Sequence, residues 1–169
     1  ALGGGAPRFE PWLGDLAGRI AADETLEPAY RALALALPGE TDIAREIGKD
    51  IDPDAVFQAR EALARALALA NRPAFEALYH RLRDNSAFSP DAASAGRRAL
   101  RNGLLDYLAL LPGGAALAAG HFAAATNMTD RAAALAVLAH RHAGSPEAAE
   151  ALAAFERAYA HDPLVMDKW

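Results

Sequence analysis

Apolar residues recur along this chain at spacings of three and four, interrupted by short runs of Pro, Gly, Asp, Asn and Ser. That spacing stacks side chains on one face of an α-helix. It predicts a first helix from about Phe9 to Ala22, with Leu13, Leu16 and Ile20 on one face. A second helix starts near Leu26, has Pro28 early, presents Leu26, Tyr30, Leu33 and Leu37, and stops at Pro38-Gly39. A short third helix begins after Thr41 and ends near Gly48. The fourth has the clearest start. Asp52 is its N-cap and Pro53 its first residue, where the missing N–H costs nothing. Its stripe is Val56, Ala59, Leu63, Ala66, Leu67 and Ala70, and Glu61 and Arg65 are spaced for an ion pair on the other side.

A fifth helix follows Asn71-Arg72-Pro73, carries Phe75, Leu78, Tyr79 and Leu82, and ends at Asp84-Asn85-Ser86. Ser89-Pro90-Asp91 opens a sixth, whose face is Leu100, Leu104, Tyr107, Leu108 and Leu111. Pro112-Gly113-Gly114 turns into a seventh that ends before Asn127. Thr129 caps an eighth, to about His142. Ser145-Pro146-Glu147 starts a ninth, with Ala148, Leu152, Phe155 and Tyr159 inward, and Asp162-Pro163 starts a tenth. The expected fold is all-α, nine to ten helices in αα-hairpins of roughly 30–40 residues, laid out like an armadillo or HEAT superhelix. A compact bundle is the competing arrangement.

Composition sharpens this picture. Of 169 residues, 45 are Ala and 23 are Leu, against 11 Val, Ile and Thr combined. Strands are built from β-branched and aromatic residues, so the composition argues against a sheet protein. A core made largely of Ala must be thin, with helix axes close together. The length suits one domain, residues 1–169, with residues 1–8 linker-like. The last helix has hardly begun at Trp169, and no Met opens the chain, so the expectation is a piece of a longer protein.

Charge and cysteine content restrict the partners. The net charge is −5, and neither half is basic, so nucleic acid is not an expected partner. Without Cys there is no disulfide framework, thiol nucleophile or thiolate metal site. No basic-then-apolar leader is visible, and the expected location is cytoplasmic. Residues Tyr107 to Thr129 lack Asp, Glu, Lys and Arg over 23 positions, a membrane-spanning length. Leu111-Pro112-Gly113-Gly114 breaks that run, and two buried short helices account for it better than a span.

No motif for catalysis is present. The histidines are His80, His121, His140, His142 and His161, and none forms the His-Glu-x-x-His pair of a zinc protease helix. There is no nucleophile elbow, phosphate loop or dinucleotide fingerprint. The acidic run Asp50 to Asp54 lacks the glycine and distal glutamate of a calcium loop and reads as helix capping. Asn127-Met128-Thr129 matches a glycosylation sequon and reads as a helix entry. Arg97, Arg98 and Arg101 form the basic cluster. They make either a solvated helix face or a small cationic patch on a cavity wall, able to meet a carboxylate. Arg131 stands alone in an apolar stretch, which implies a specific partner, either Asp130 or a helix end.

Four strings carry a family resemblance. They are Asp52-Pro53 with Ala59-Arg60-Glu61-Ala62-Leu63; Arg97-Arg98-Ala99-Leu100-Arg101-Asn102 with Leu105 and Tyr107-Leu108; Asn127-Met128-Thr129-Asp130-Arg131 with Ala134-Leu135; and Asp162-Pro163-Leu164-Val165-Met166-Asp167-Lys168-Trp169. In this order they resemble the C-terminal helical domain of bacterial aminopeptidase N, a zinc metallopeptidase family. The resemblance covers roughly Leu26 to Trp169. It implies a non-catalytic, armadillo-like domain that caps the catalytic chamber of the same polypeptide and limits access of peptide substrates. The zinc cofactor and its motif belong to an earlier domain of that family, so no catalytic or metal residue is expected here. By position in the third string, Asn127 and Arg131 are expected to face the chamber, with Arg97, Arg98 and Arg101 as second candidates. A free-standing helical scaffold that binds another protein on its concave face is the alternative. A zinc motif upstream in the same reading frame would exclude it.

Overall fold

The computed structural model describes residues 8–84 and 86–167. Ten helices run in chain order: α1 (Trp12–Ala22), α2 (Pro28–Leu35), α3 (Glu40–Ile47), α4 (Pro53–Ala70), α5 (Arg72–Arg81), α6 (Ala92–Leu108), α7 (Gly114–Ala124), α8 (Met128–Arg141), α9 (Pro146–Tyr159) and α10 (Pro163–Met166). No strand occurs among the described residues. From α3 onward each helix packs on its next or next-but-one neighbour, the stacking of a helical-repeat array rather than a compact bundle. The α1–α2 hairpin folds back over α4, α5 and α6, and α3 rests on α4 alone.

Helix α6 is the axis of the core. It packs against α2, α4, α5, α7 and α8, and buries Leu100, Leu104, Leu105, Tyr107 and Leu108. Its tightest neighbour is α2: a Cβ on Gly96 would stand 2.9 Å from the Ala29 amide nitrogen. Close approach of this kind is how an Ala-rich chain fills its interior without bulky side chains. The α6–α7 turn relies on glycine twice. Gly113 has φ +88°, and a Cβ on Gly114 would collide with the Ala109 carbonyl.

The capping chemistry follows the sequence at most starts. Asp52 accepts from Ala55 N at 3.1 Å, Asp91 from Ser94 N at 2.9 Å, Ser145 from Ala148 N at 3.1 Å, and Asp162 from Leu164 N at 3.1 Å. At α8 the cap is Asn127, not Thr129; its Oδ1 accepts from Asp130 N at 2.9 Å. Either residue type could cap, and the backbone turns helical two positions earlier than a Thr129 cap would require.

Three faces differ from the pattern. In α1 the buried residues are Ala17 and Ala21, while Leu16 is exposed, and the helix starts at Trp12 rather than Phe9. In α2 the inward residues are Arg31 and Leu35, and Tyr30 and Leu33 lie outside, Leu33 at 75% exposure. Ala29 stands at the close α6 crossing, and with α2 seated that way Arg31 and Leu35 turn inward and Leu33 outward. In α4, Ala64 and Ala68 join Val56 and Leu67 in the interior, and Ala70 is exposed. The spaced pair Glu61 and Arg65 does not meet: Glu61 turns to Arg141, and Arg65 donates to the Leu110 carbonyl at 3.1 Å.

Arginines close the ends of helices. Buried Arg31 donates from Nε to the Ile20 carbonyl at 3.2 Å and from its terminal nitrogen to that of Ala21, where α1 runs out of partners. A cation there also meets the negative end of the α1 dipole. Arg141 ties three helices. It forms paired bonds to Asp106 on α6, at 2.5 and 2.7 Å, and to Glu61 on α4, at 2.7 and 2.9 Å. The Asp106 hydrogen bonds push its guanidinium further above the ordinary arginine range.

Candidate functional site

The end of α5, one face of α6 and the start of α8 enclose a small cavity of about 30 Å³. Arg97, Arg98, Arg101 and Asn127 all line it, so four of the five candidates named from sequence come together. Arg131 is not among them. It donates to Tyr159 Oη at 2.7 Å and to the Ala125 carbonyl, the C-cap of α7, at 2.8 Å. Of its two expected partners, the helix end is the one it meets.

The three α6 arginines differ in surroundings. Arg97 donates to Asp84 Oδ2 at 3.0 Å and to Ser94 Oγ at 2.9 Å. Bonds from Ser86, and then from Arg97, pull the Asp84 carboxyl down to about 2. Arg98 lies over the Phe88 ring at 4.7 Å, and Arg101 over the Tyr79 ring at the same distance. Neither takes part in an ion pair among the described residues, and the Nε of each is buried without an acceptor.

Asn127 is committed to the fold. Besides capping α8, it donates from Nδ2 to Asp130 Oδ2 at 2.9 Å. Buried Asp130 also accepts from Asn102 Nδ2 at 3.0 Å. The carboxylate therefore joins α6 to the first turn of α8, where an anion also suits the helix dipole.

Behind Arg101, outside the cavity lining, lies a polar group that sequence reasoning missed. Tyr79 Oη and His121 Nδ1 are 2.8 Å apart, both buried, and Arg101 donates to the same Oη over 3.5 Å. With Oη accepting from Arg101, its own proton goes to Nδ1, and the imidazole proton sits on Nε2, which has no partner. Burial, with Arg101 nearby, lowers the His121 pKa to about 4, and burial raises that of the Tyr79 phenol. A histidine in an apolar run carries the only hint of this in the sequence, and nothing there links it to a tyrosine 42 residues earlier.

The residues do not fit a zinc site. No group of three or more His, Asp or Glu side chains among the described residues could hold a metal ion. His121 is engaged with Tyr79, and His80, His140 and His161 are exposed and apart. Among the described residues no helix is long and apolar enough to cross a membrane.

A family model described as a domain of unknown function (DUF3458_C) with ARM repeats matches residues 5–169. The chain belongs to this family. The match bears out the all-α, armadillo-like expectation and the resemblance carried by the four strings. Aminopeptidase N of Caulobacter vibrioides is 40% identical over 157 residues, covering 92% of this chain and 18% of that protein. The Escherichia coli aminopeptidase N is 34% identical over 153 residues, covering 89% of this chain and 17% of that protein. The crystal structure of Legionella pneumophila aminopeptidase A in complex with aspartic acid superposes with a TM-score of 0.80 at 22% identity. It covers 96% of this DUF3458_C chain and 20% of that one, and shares its fold. The chain thus spans less than a fifth of the length of the curated relatives it matches.

Proposed function

We propose that this chain is the non-catalytic C-terminal domain, residues 1–169, of a zinc-dependent aminopeptidase N that removes N-terminal amino acids from peptides. The observation that carries the reading is the match over 92% of the chain to 18% of an aminopeptidase N. The domain caps the catalytic chamber of the same polypeptide and controls peptide access. The zinc is held by another part of that polypeptide, and the enzyme is cytoplasmic. The α6–α8 face supports this reading, because cationic side chains gather there without enough carboxylates to neutralise them. Asn127 and Arg131 lie at the start of α8 and are directed toward the chamber, Arg131 through the edge it shares with Tyr159.

The test is Arg131→Ala in the full-length enzyme. Loss of one charged hydrogen bond, about 1.5–3 kcal/mol, corresponds to roughly a 10- to 150-fold loss of kcat/KM on peptides long enough to reach it. A single-residue anilide should be affected much less. Equal losses on both substrates with a lowered melting temperature would make Arg131 structural, acting through Tyr159 and Ala125 alone.

A further inference from the structure

We propose that Arg98 and Arg101 form a subsite for one carboxylate, the free C-terminal carboxylate of a peptide, in the cavity between α6 and the start of α8. Every other buried or half-buried arginine among the described residues has a carboxylate or a main-chain carbonyl. Arg60, Arg97 and Arg141 are in ion pairs, and Arg31 and Arg131 cap helix ends. Arg98 and Arg101 have neither, and the fold holds them on aromatic rings instead, at 4.7 Å each. Stacking fixes the plane of a guanidinium while leaving its edge free to donate, the preorganised fork that carboxylates accept.

The charge and the space agree on the ligand. Three guanidiniums line the cavity against two carboxylates, Asp84 and Asp130. Asp84 is engaged by Arg97, and both oxygens of Asp130 accept from Asn102 and Asn127. One positive charge is left over, which a monoanion balances. A volume of about 30 Å³ holds about two water-sized groups, the pair of oxygens of one carboxylate and not a whole residue. The ring behind Arg101 helps as well. Tyr79 Oη receives from Arg101, and its own proton faces His121, so no anionic oxygen lies under Arg101 to compete for it. The assignment of the carboxylate to a peptide rests on the chamber reading above.

The experiment compares a series of peptides of three to eight residues with their C-terminal amides, in the full-length polypeptide that contains this chain. The ratio of KM for the amide to KM for the acid is measured for the wild type and for Arg98→Gln, Arg101→Gln and the double variant. Using the ratio within one variant removes any effect of poorer folding. Wild type is expected to prefer the acid by about tenfold or more at the length that reaches the cavity, as a charge-assisted hydrogen bond provides. The preference should fall toward unity in the double variant. No acid preference at any length, or a preference that survives the double variant, overturns the subsite. So does an equal rise of both KM values with a lowered melting temperature, which would mean that a carboxylate elsewhere in the polypeptide fills the cavity. Arg131→Ala separates the two readings. If it selectively impairs long peptides while the acid preference is absent, the chamber reading stands and the subsite fails. If neither responds to peptide length, both fail.

Discussion

Asn102 on α6 donates from Nδ2 to Asp130 Oδ1 on α8 at 3.0 Å, across 28 residues of chain. These two residues belong to two of the strings that carry the family resemblance, and in the fold those strings are one structure. Asp130 is the buried acceptor that Asn102 and the α8 cap Asn127 both satisfy. Asp130→Ala leaves two amide donors unpaired and is expected to cost about 1–3 kcal/mol. Urea unfolding of Asp130→Ala, Asn102→Ala and the double variant should give a coupling energy of at least about 0.5 kcal/mol. Strict additivity would mean that the contact carries no energy.

Two glycines of α6 should respond with opposite sign. Gly103 has nothing within 4 Å of an added Cβ, so Gly103→Ala should stabilise by up to about 1 kcal/mol through helix propensity. Gly96→Ala gains the same propensity but drives its Cβ to 2.9 Å from the Ala29 backbone. Overpacking of that kind costs about 1–3 kcal/mol, so the net effect should be loss of stability. Thermal melts of the two variants side by side check the pair.

Arg141 is the cross-brace of α4, α6 and α8, with a side chain only 10% exposed. Arg141→Ala should destabilise by at least the worth of one charged hydrogen bond, about 1.5–3 kcal/mol. Arg141→Lys should recover little, because an ammonium cannot form the fork to Asp106 and reach Glu61 at the same time. Recovery of most of the stability by lysine, read from denaturant midpoints, would mean that charge alone matters.

His121 makes stability fall on acidification. Its pKa is lowered from 6.5 to about 4 in the fold, so the unfolded chain binds more protons between those values. The neutral ring's contribution is complete above pH 6.5 and is lost as pH falls toward 4. By pH 5 the loss should reach about 2 kcal/mol, at 1.36 kcal/mol per unit. His121→Gln, which can still meet Tyr79, should flatten the dependence between pH 7 and pH 5. An unchanged slope in unfolding experiments would assign the acid sensitivity to the carboxylates.

The helices and most of their starts were legible from sequence, and the choice of a superhelix over a compact bundle came from the packing. Asp52, Asp91, Ser145 and Asp162 cap where they stand because an N-cap bond spans three residues and needs no distant partner. The α6 stripe is legible because its residues are large and regularly spaced. Tertiary structure decided what depends on how close two helices come and which distant side chains meet. The α2–α6 crossing at Gly96 put Arg31 and Leu35 inside and Leu33 outside, a choice between residues of like size that spacing alone does not make. Glu61 was drawn from its neighbour Arg65 to Arg141, 80 residues away, because a partly buried charged pair outcompetes an exposed one on the same helix. Packing also brought Tyr79 to His121, 42 residues away, and set Arg98 and Arg101 on aromatic rings instead of carboxylates. Spacing along one helix fixes which side chains share a face, and only packing decides what that face finds opposite.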